Sequence, residues 1–572
     1  MPNFFTDNKD LQYHFSRLDL EEAVSILEHH YTFAEKYEGA PRNYKEAMEL
    51  YQSALDLAGD ISGNHIAPRA MEVDQEGAHL ENGKVTYAKG TQENLRQLSE
   101  AGLMGVILPY KDGGINFPAT IFMMMIEMVS RADASLMTLF GYQDVGEAIS
   151  KFGSDELSDI FLKKYCKGEY TGAMVLTEPG AGSDLQSVKL KAYQDEEGQW
   201  RLQGVKHFIS NGCGDVLLVL ARSEPNTTNM FGLSLFVVKG GDKVQVNHIE
   251  EKMGIHGSPT CQLYFDDAPA YLVGKRRHGL IYVLYTLNHA RFSVAAQALG
   301  IAEAAYQEAL QYAKVREQFG KLIYNIPAVS NLLIDMRVAI ESGRSLLYAG
   351  SQWLDLRNKL EEQIEELKKE GKPFSDIKEK FDHAAKLVDL LSPMVKYIIT
   401  ENAVKICYDA QQIHGGMGFM REMPVERLAR DVRITTIYEG TSQVQVGGSS
   451  KGVLGDVLGS FFDEMAKQEY PSCLSSSAKK LGEIRSLFNK SKELVNESDD
   501  QLFRETALKE LVDMYGAIYT GYLLLDEAKD NERKVLIANR FINKSIAAAH
   551  QSMAAIENNQ FGDMEHKEVI CE

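Results

Sequence analysis

Apolar residues recur at three- and four-residue steps through most of residues 1–169, the spacing that gathers one face of a helix. The stretches from Leu20 to Lys36 and from Tyr44 to Leu57 predict helices. Thr91 to Ala101 predicts another, opened by a Thr-x-x-Asn approximation to a cap. The pattern changes near Tyr170. From there to about Pro269, the short runs AMVLTEP, WRLQGVKHFIS, DVLLVLARS, LSLFVVKG and CQLYFDD alternate with Asn, Asp and Gly. Branched and aromatic runs between turn formers predict strands, here an antiparallel β domain.

From Ile281 the helical period returns, with Leu299, Ala302, Tyr306, Leu310 and Ala313 on one stripe. The charge-rich segment LRNKLEEQIEELKKEGKPFSDIKEKF predicts a solvated helical hairpin with Gly371 and Pro373 at its turn. Ala384 to Ala410 predicts a further long helix, and helical patterns continue beyond Gly455. The expected fold class is therefore α+β multidomain. Its expected parts are an N-terminal helical domain (1–169), a middle antiparallel β domain (170–280), a helical bundle (281–455) and an extra C-terminal helical domain (456–572).

Composition narrows the function. With 572 residues the chain is too long for one compact core, and 44% hydrophobic with 25% charged residues excludes disorder over most of it. A formal charge of -20 argues against a nucleic-acid partner, and the short cluster Lys275, Arg276, Arg277 reads as solvated surface. The six cysteines form no CxxC pair, so no metal site and no disulfide framework is expected. The stretch MPNFFTDNKDLQYHF lacks a signal-peptide core. No apolar run reaches the ~18 residues of a membrane span, and a cytoplasmic location is expected.

Five segments carry candidate chemistry. LTEPGAGSD, Leu176 to Asp184, is a strand end and a glycine loop whose backbone N–H groups, with Thr177 and Ser183, could approach a ligand. It is not a full GxGxxG, and no strand–helix–strand unit follows, so a Rossmann site fits poorly. In KHFISNG, Lys206 to Gly212, Phe208 and Ser210 share a strand face opposite Ile209. That face suits a planar ligand, or Phe208 packs into the core. Arg291 opens a helix of small residues, which Arg316, Gln318 and Phe319 end before Gly320 as its C-cap. DAQQIHGGMGF offers Gln412 and the glycines Gly415, Gly416 and Gly418 for a close backbone approach, or a plain helix–helix turn. In RDVRITTIYEGTSQVQ, Ser442-x-x-Gln445 matches a capping box, which puts Glu439 and Gly440 just before a helix N-terminus. There the glutamate is either functional or a partner of the helix dipole.

Together and in this order, LTEPGAGSD, KHFISNG, Arg316 to Lys321, QIHGGMGF and RDVRITTIYEGTSQVQ resemble the acyl-CoA dehydrogenase family, from about Asn94 to Gly447. The resemblance implies FAD at the junction of the three domains and α,β-dehydrogenation of a fatty acyl-CoA to the trans-2-enoyl-CoA, with medium or long chains favoured, in β-oxidation. It implies Glu439 as the catalytic base. Some relatives carry the base at the position of Ala290, which here cannot take a proton. Met174, Thr177, Phe208 and Ser210 match residues lining the flavin, with Phe208 where the family often has tryptophan. Arg316, Gln318, Phe319, Gln412 and Gly416 match residues holding FAD across a dimer interface, and Thr441 and Gln443 match further cofactor contacts. Ser183, Asn288, Arg291 and Gly440 match the substrate side, with Asn288 where the family often has aspartate. The long C-terminal extension resembles a subgroup expected to be homodimeric, and electron-transferring flavoprotein is the expected acceptor. Burial should raise the proton affinity of Glu439, the helix N-terminus should lower it, and sequence leaves that contest open.

Overall fold

The computed structural model describes residues 2–241 and 243–572. Its N-terminal part is helical up to Cys166, apart from a small hairpin of His79–Glu81 with Lys84–Thr86. The helix Tyr44–Asp60 forms as its apolar spacing predicts, capped by Asn43, whose side chain accepts from the Glu46 N–H. The expected helix from Leu20 to Lys36 does not run through. It spans Glu21–Leu27, and His29, His30 and Tyr31 then follow in the left-handed region. Tertiary partners override the local preference here: the Glu28 carboxylate accepts from Asn116 at 3.1 Å and from Tyr110 at 3.2 Å, and Phe33 packs on His29. The Thr91 cap is also displaced. The helix is Lys89–Glu100, and Thr91 and Asn94 are buried inside it, where Asn94 accepts from Arg69 at 2.8 Å.

The middle part is a seven-stranded sheet in which Gly172–Val175, Val216–Arg222, Lys191–Gln194, Trp200–Ser210, Thr260–Val273 and Leu233–Lys239 lie side by side in that order. Leu233–Lys239 also pairs back to Val216–Arg222, so the sheet closes on itself, and Val244–Ile249 lies against Thr260–Val273. Most pairs are antiparallel as expected, but Gly172–Val175 runs parallel to Val216–Arg222. Both of those strands are buried, as a parallel pair in a core requires.

Three long helices cross the bundle: Gly279–Val315, Pro327–Glu370 and Ser375–His414. The charge-rich hairpin forms as predicted, with Gly371 as left-handed cap between the last two. Beyond Gly455, the helices Leu508–Glu527 and Glu532–Glu557 pack on the bundle, and Ser472–Glu497 packs on both of them. Phe488, Tyr515 and Ile542 share one apolar core with Phe5 and Leu347.

Buried charges tie these parts together. Arg344, fully buried, donates to Glu127 at 2.7 Å, Glu303 at 2.8 Å and Asp10 at 2.9 Å. Lys534, on the last long helix, lies 2.7 Å from Asp10, 3.0 Å from Glu527 and 3.3 Å from Glu341. One aspartate of the first helix thus answers cations from the bundle and from the C-terminal helices.

Candidate functional site

The segment after the helix Pro424–Val432 makes one 3-10 turn, Arg433–Thr436, and reaches the helix Ser442–Leu454 through Glu439 and Gly440. Both residues have positive φ, 54° and 96°. A non-glycine side chain in that region is strained, and such strain persists only where neighbours enforce it. The N-cap is Thr441, one residue before the Ser442 expected, and accepts from the Val444 N–H at 3.4 Å; with valine at that third position the expected capping box does not form. Ser442 instead donates to Glu401. The Gln445 amide reaches back to the carbonyls of Glu439 at 2.8 Å and Gly440 at 3.1 Å.

Two cations face this loop. Lys396, fully buried on the helix Ser375–His414, donates to the Gly440 carbonyl at 2.6 Å. Arg291 comes from the helix Gly279–Val315 and donates to Asn288 at 3.2 Å, while the Ser392 hydroxyl donates to the same Asn288 oxygen at 3.0 Å. Burial raises the Glu439 pKa above its ordinary value, and the pull against it comes from Lys396 and then Arg291, cations that the sequence expectation of an opposing helix N-terminus did not include. Burial likewise pushes Lys396 down to about 8, opposed by the charge of Glu439. Ala290 is buried beside Arg291 and carries no titratable group.

On the sheet side, the strand Trp200–Ser210 loses register with its neighbour between Lys206 and Ile209. Phe208 sits in that irregularity at φ 58° with 57% of its surface exposed, while Ile209 is buried and Ser210 half-buried. The core-packed alternative for Phe208 is thereby overturned. Met174 is buried, Thr177 half-buried and Ser183 exposed. The glycine loop owes its shape to a pair that sequence reading missed, buried Glu178 and Lys206 at 3.1 Å. Glu178 also accepts from the N–H groups of Lys189 and Leu190, and Lys206 donates to the Leu176 carbonyl at 2.6 Å. A largely exposed aromatic ring on a strained backbone, two residues from Ser210 and with His207 against it, fits the flat ring of a flavin.

A second group lies at the far end of the bundle. Gly320 is not a helix cap as expected, because the helix ends at Val315. Glu317–Gln318 and Lys321–Leu322 then pair across Phe319 and Gly320, both at positive φ, the twist that a two-residue hairpin requires. Arg316, Gln318 and Phe319 are exposed, as are Gln412 and Gly416 of the neighbouring turn. The two ends are held side by side by the stacked rings of Tyr312 and His414, 4.3 Å apart. Among the cofactor candidates after the base, Thr441 is half-buried and Gln443 exposed.

Sequence reading also missed Tyr142, half-buried in the neighbourhood of Ser210 and Glu439. Behind it, Asp144, Glu147 and His289 place one polar atom each within 4.8 Å of one another, and Lys151, Arg357 and Lys359 flank them. The Asn358 amide, 2.7 Å from His289 Nε2, assigns the ring hydrogen to Nδ1, which faces Glu147 at 3.4 Å. Burial pushes His289 down to about 3 and Glu147 up to about 7. The group is a cluster of titratable side chains flanked by cations.

Family models for the N-terminal, middle and C-terminal domains of acyl-CoA dehydrogenases match residues 49–169, 173–268, and 277–369 with 377–454. The chain belongs to the acyl-CoA dehydrogenase family, whose members are FAD-dependent oxidoreductases. Among its relatives, the 3-methylmercaptopropionyl-CoA dehydrogenase of Ruegeria pomeroyi is 36% identical over 435 residues, 70% of this chain and 71% of its own length. The solved butyryl-CoA dehydrogenase of Megasphaera elsdenii superposes with a TM-score of 0.60 at 30% identity, covering 71% of this chain and 98% of that one. An acyl-CoA dehydrogenase complexed with FAD from Bacillus anthracis shares the fold with a TM-score of 0.74 at 22% identity, over 89% of this chain and 88% of its own.

Proposed function

We infer that the chain oxidises an acyl-CoA to its trans-2-enoyl thioester, with Glu439 taking the α-proton. The observation that carries this reading is a half-buried glutamate held at positive φ, its proton affinity raised by burial against the influence of Lys396 and Arg291, in the segment after the bundle where the family resemblance expects the base. Bound FAD supplies the acceptor for the hydride that leaves the β-carbon. The protein's own part is to hold the Glu439 carboxylate, keep water from it and keep its proton affinity high enough for carbon-acid chemistry. Met174, Thr177, Phe208 and Ser210 are proposed to line the flavin, with Thr441 and Gln443 from the following helix. Ser183, Asn288, Arg291 and Gly440 are proposed to face the thioester and its CoA.

Arg316, Gln318, Phe319, Gln412 and Gly416 are proposed to hold the FAD of a second copy. Phe319 is 92% and Phe419 81% exposed, a rate of apolar exposure that suits a covered homodimer face. Electron-transferring flavoprotein is the proposed acceptor. The family resemblance favours medium- or long-chain fatty acyl groups. A second reading, a short or compact acyl group, draws on Tyr142 beside Ser210 and Glu439 and on relatives named for short, sulfur-containing and cyclic acyl groups.

Anaerobic bleaching of the bound flavin by short-, medium- and long-chain acyl-CoAs tests the reaction and separates the two readings. Glu439→Gln is expected to keep FAD and to lose at least ~10²-fold in the rate of flavin reduction, the scale of general-base catalysis. Near-normal reduction by that variant sinks the assignment.

A further inference from the structure

The two consecutive left-handed residues of the base loop, Glu439 and Gly440, need external partners to keep their shape. Gln445 is one, through both carbonyls. Lys396 is the other, with its ammonium 2.6 Å from the Gly440 carbonyl and no exposed surface. A single hydrogen bond to a carbonyl is small return for burying a full ammonium, so the placement makes physical sense only if the charge answers another charge. The carboxylate in that loop is Glu439. The geometry points to Lys396 as the positioning residue of the base: it fixes the Gly440 peptide and brings its charge to the loop that carries the Glu439 carboxylate. The inference rests on the reading of Glu439 as the base.

The groups facing Glu439 come from each element packed around it. Lys396 belongs to the helix Ser375–His414 and Arg291 to the helix Gly279–Val315. Tyr142 and Asp144 stand at the helix Gln143–Phe152, and Tyr438 precedes Glu439 in the chain. Glu439, Arg291 and Glu401 face Lys396 in turn. Of the two cations, Lys396 has the larger effect in lowering the proton affinity of Glu439. Loss of its charge leaves burial less opposed, so the Glu439 pKa rises and the carboxylate form retreats to higher pH. A lysine serving only as a packing strut leaves that titration where it was.

The test uses purified FAD-loaded protein. The rate of flavin reduction is followed against pH at subsaturating acyl-CoA, a regime that reports the free enzyme. Lys396→Met is expected to keep its FAD, to slow reduction about 10-fold or more, and to move the acid limb upward by roughly half a unit to one unit. Lys396→Gln, which keeps a donor for the Gly440 carbonyl but no charge, is expected to move the limb as well. Lys396→Arg, which keeps both, is expected to leave it in place. An acid limb that stays put in Met and Gln, or moves as far in Arg, overturns the proposal. Should Lys396→Met fail to fold, the Gln and Arg variants carry the same decision. Glu439→Gln run in parallel separates the two claims: if it reduces flavin normally, the base assignment fails whatever Lys396 does.

Discussion

Two opposed forces set the proton affinity of Glu439. Burial makes the charged form costly, and Lys396 and Arg291 make it cheaper. Burial prevails, so the acid limb of flavin reduction is expected above the ordinary glutamate value, and pH profiles of the wild-type protein check this directly. A limb at or below that value contradicts it. Gly440 has a different duty. Its φ of 96° disfavours any side chain, and a Cβ there meets the Gln445 amide nitrogen at 2.5 Å. Gly440→Ala is expected to cost roughly 1–3 kcal/mol of backbone strain and to slow reduction with FAD content unchanged, which absorbance per protein and single-turnover rates read separately. At this scale the sequence was only partly legible. YEGT names its glutamate because an ordered set of motifs surrounds it. Tyr142 gave no sign, since its nearness to Ser210 depends on chain folding. Lys396 did carry a signal, a lone lysine inside the apolar run LLSPMVKYIIT, and such a residue must find a buried partner.

Among elements, legibility followed the source of each stabilising interaction. The strand Trp200–Ser210 and the helical hairpin at Gly371 were readable because their periodicity and turn residues are local. The segment after Leu27 was not, because Asn116 and Tyr110, distant in sequence, capture Glu28 and break the helix. The Arg316 to Lys321 segment looked like a helix end because glycine serves both a C-cap and a type I′ turn, and only the pairing of Glu317 with Leu322 distinguishes them. The hairpin's exposure yields two expectations. Arg316→Ala should lose FAD on dialysis, and full flavin occupancy afterwards counts against its proposed role. Phe319→Asp with Phe419→Asp should shift the protein toward monomer in sedimentation, because a carboxylate on an apolar contact face opposes its burial.

At the scale of the whole molecule, one apolar core joins the first helices, the bundle and the C-terminal helices, the sheet has a second core of its own, and buried ion pairs link the first helix to the bundle and to the last long helix. Burial acts to raise the Asp10 carboxyl, but His14, Lys534 and Arg344 together hold it below the usual aspartate range. Stability from this arrangement is therefore present above the ordinary aspartate pKa and is lost as pH falls through the lower folded value. Lys534→Met removes a cation from Asp10, Glu341 and Glu527 at once. It is expected to cost about 3–5 kcal/mol, the usual penalty for leaving a buried pair half-empty. Because protonation of the stranded carboxylates relieves that cost, thermal unfolding should show a smaller deficit at acidic than at alkaline pH. An equal deficit at both contradicts the account.

The order in which a ribosome delivers this chain gives the same network a further meaning. Asp10 and Glu341 are synthesised long before Lys534, and domains begin to fold while synthesis continues. A nascent chain stopped before Asn531, the cap of the last long helix, keeps Arg344 against Asp10 but leaves Glu341 without Arg533 and Lys534. A product truncated there is expected to be cut faster in limited proteolysis than a chain that carries this helix, because Glu341 then lacks Lys534.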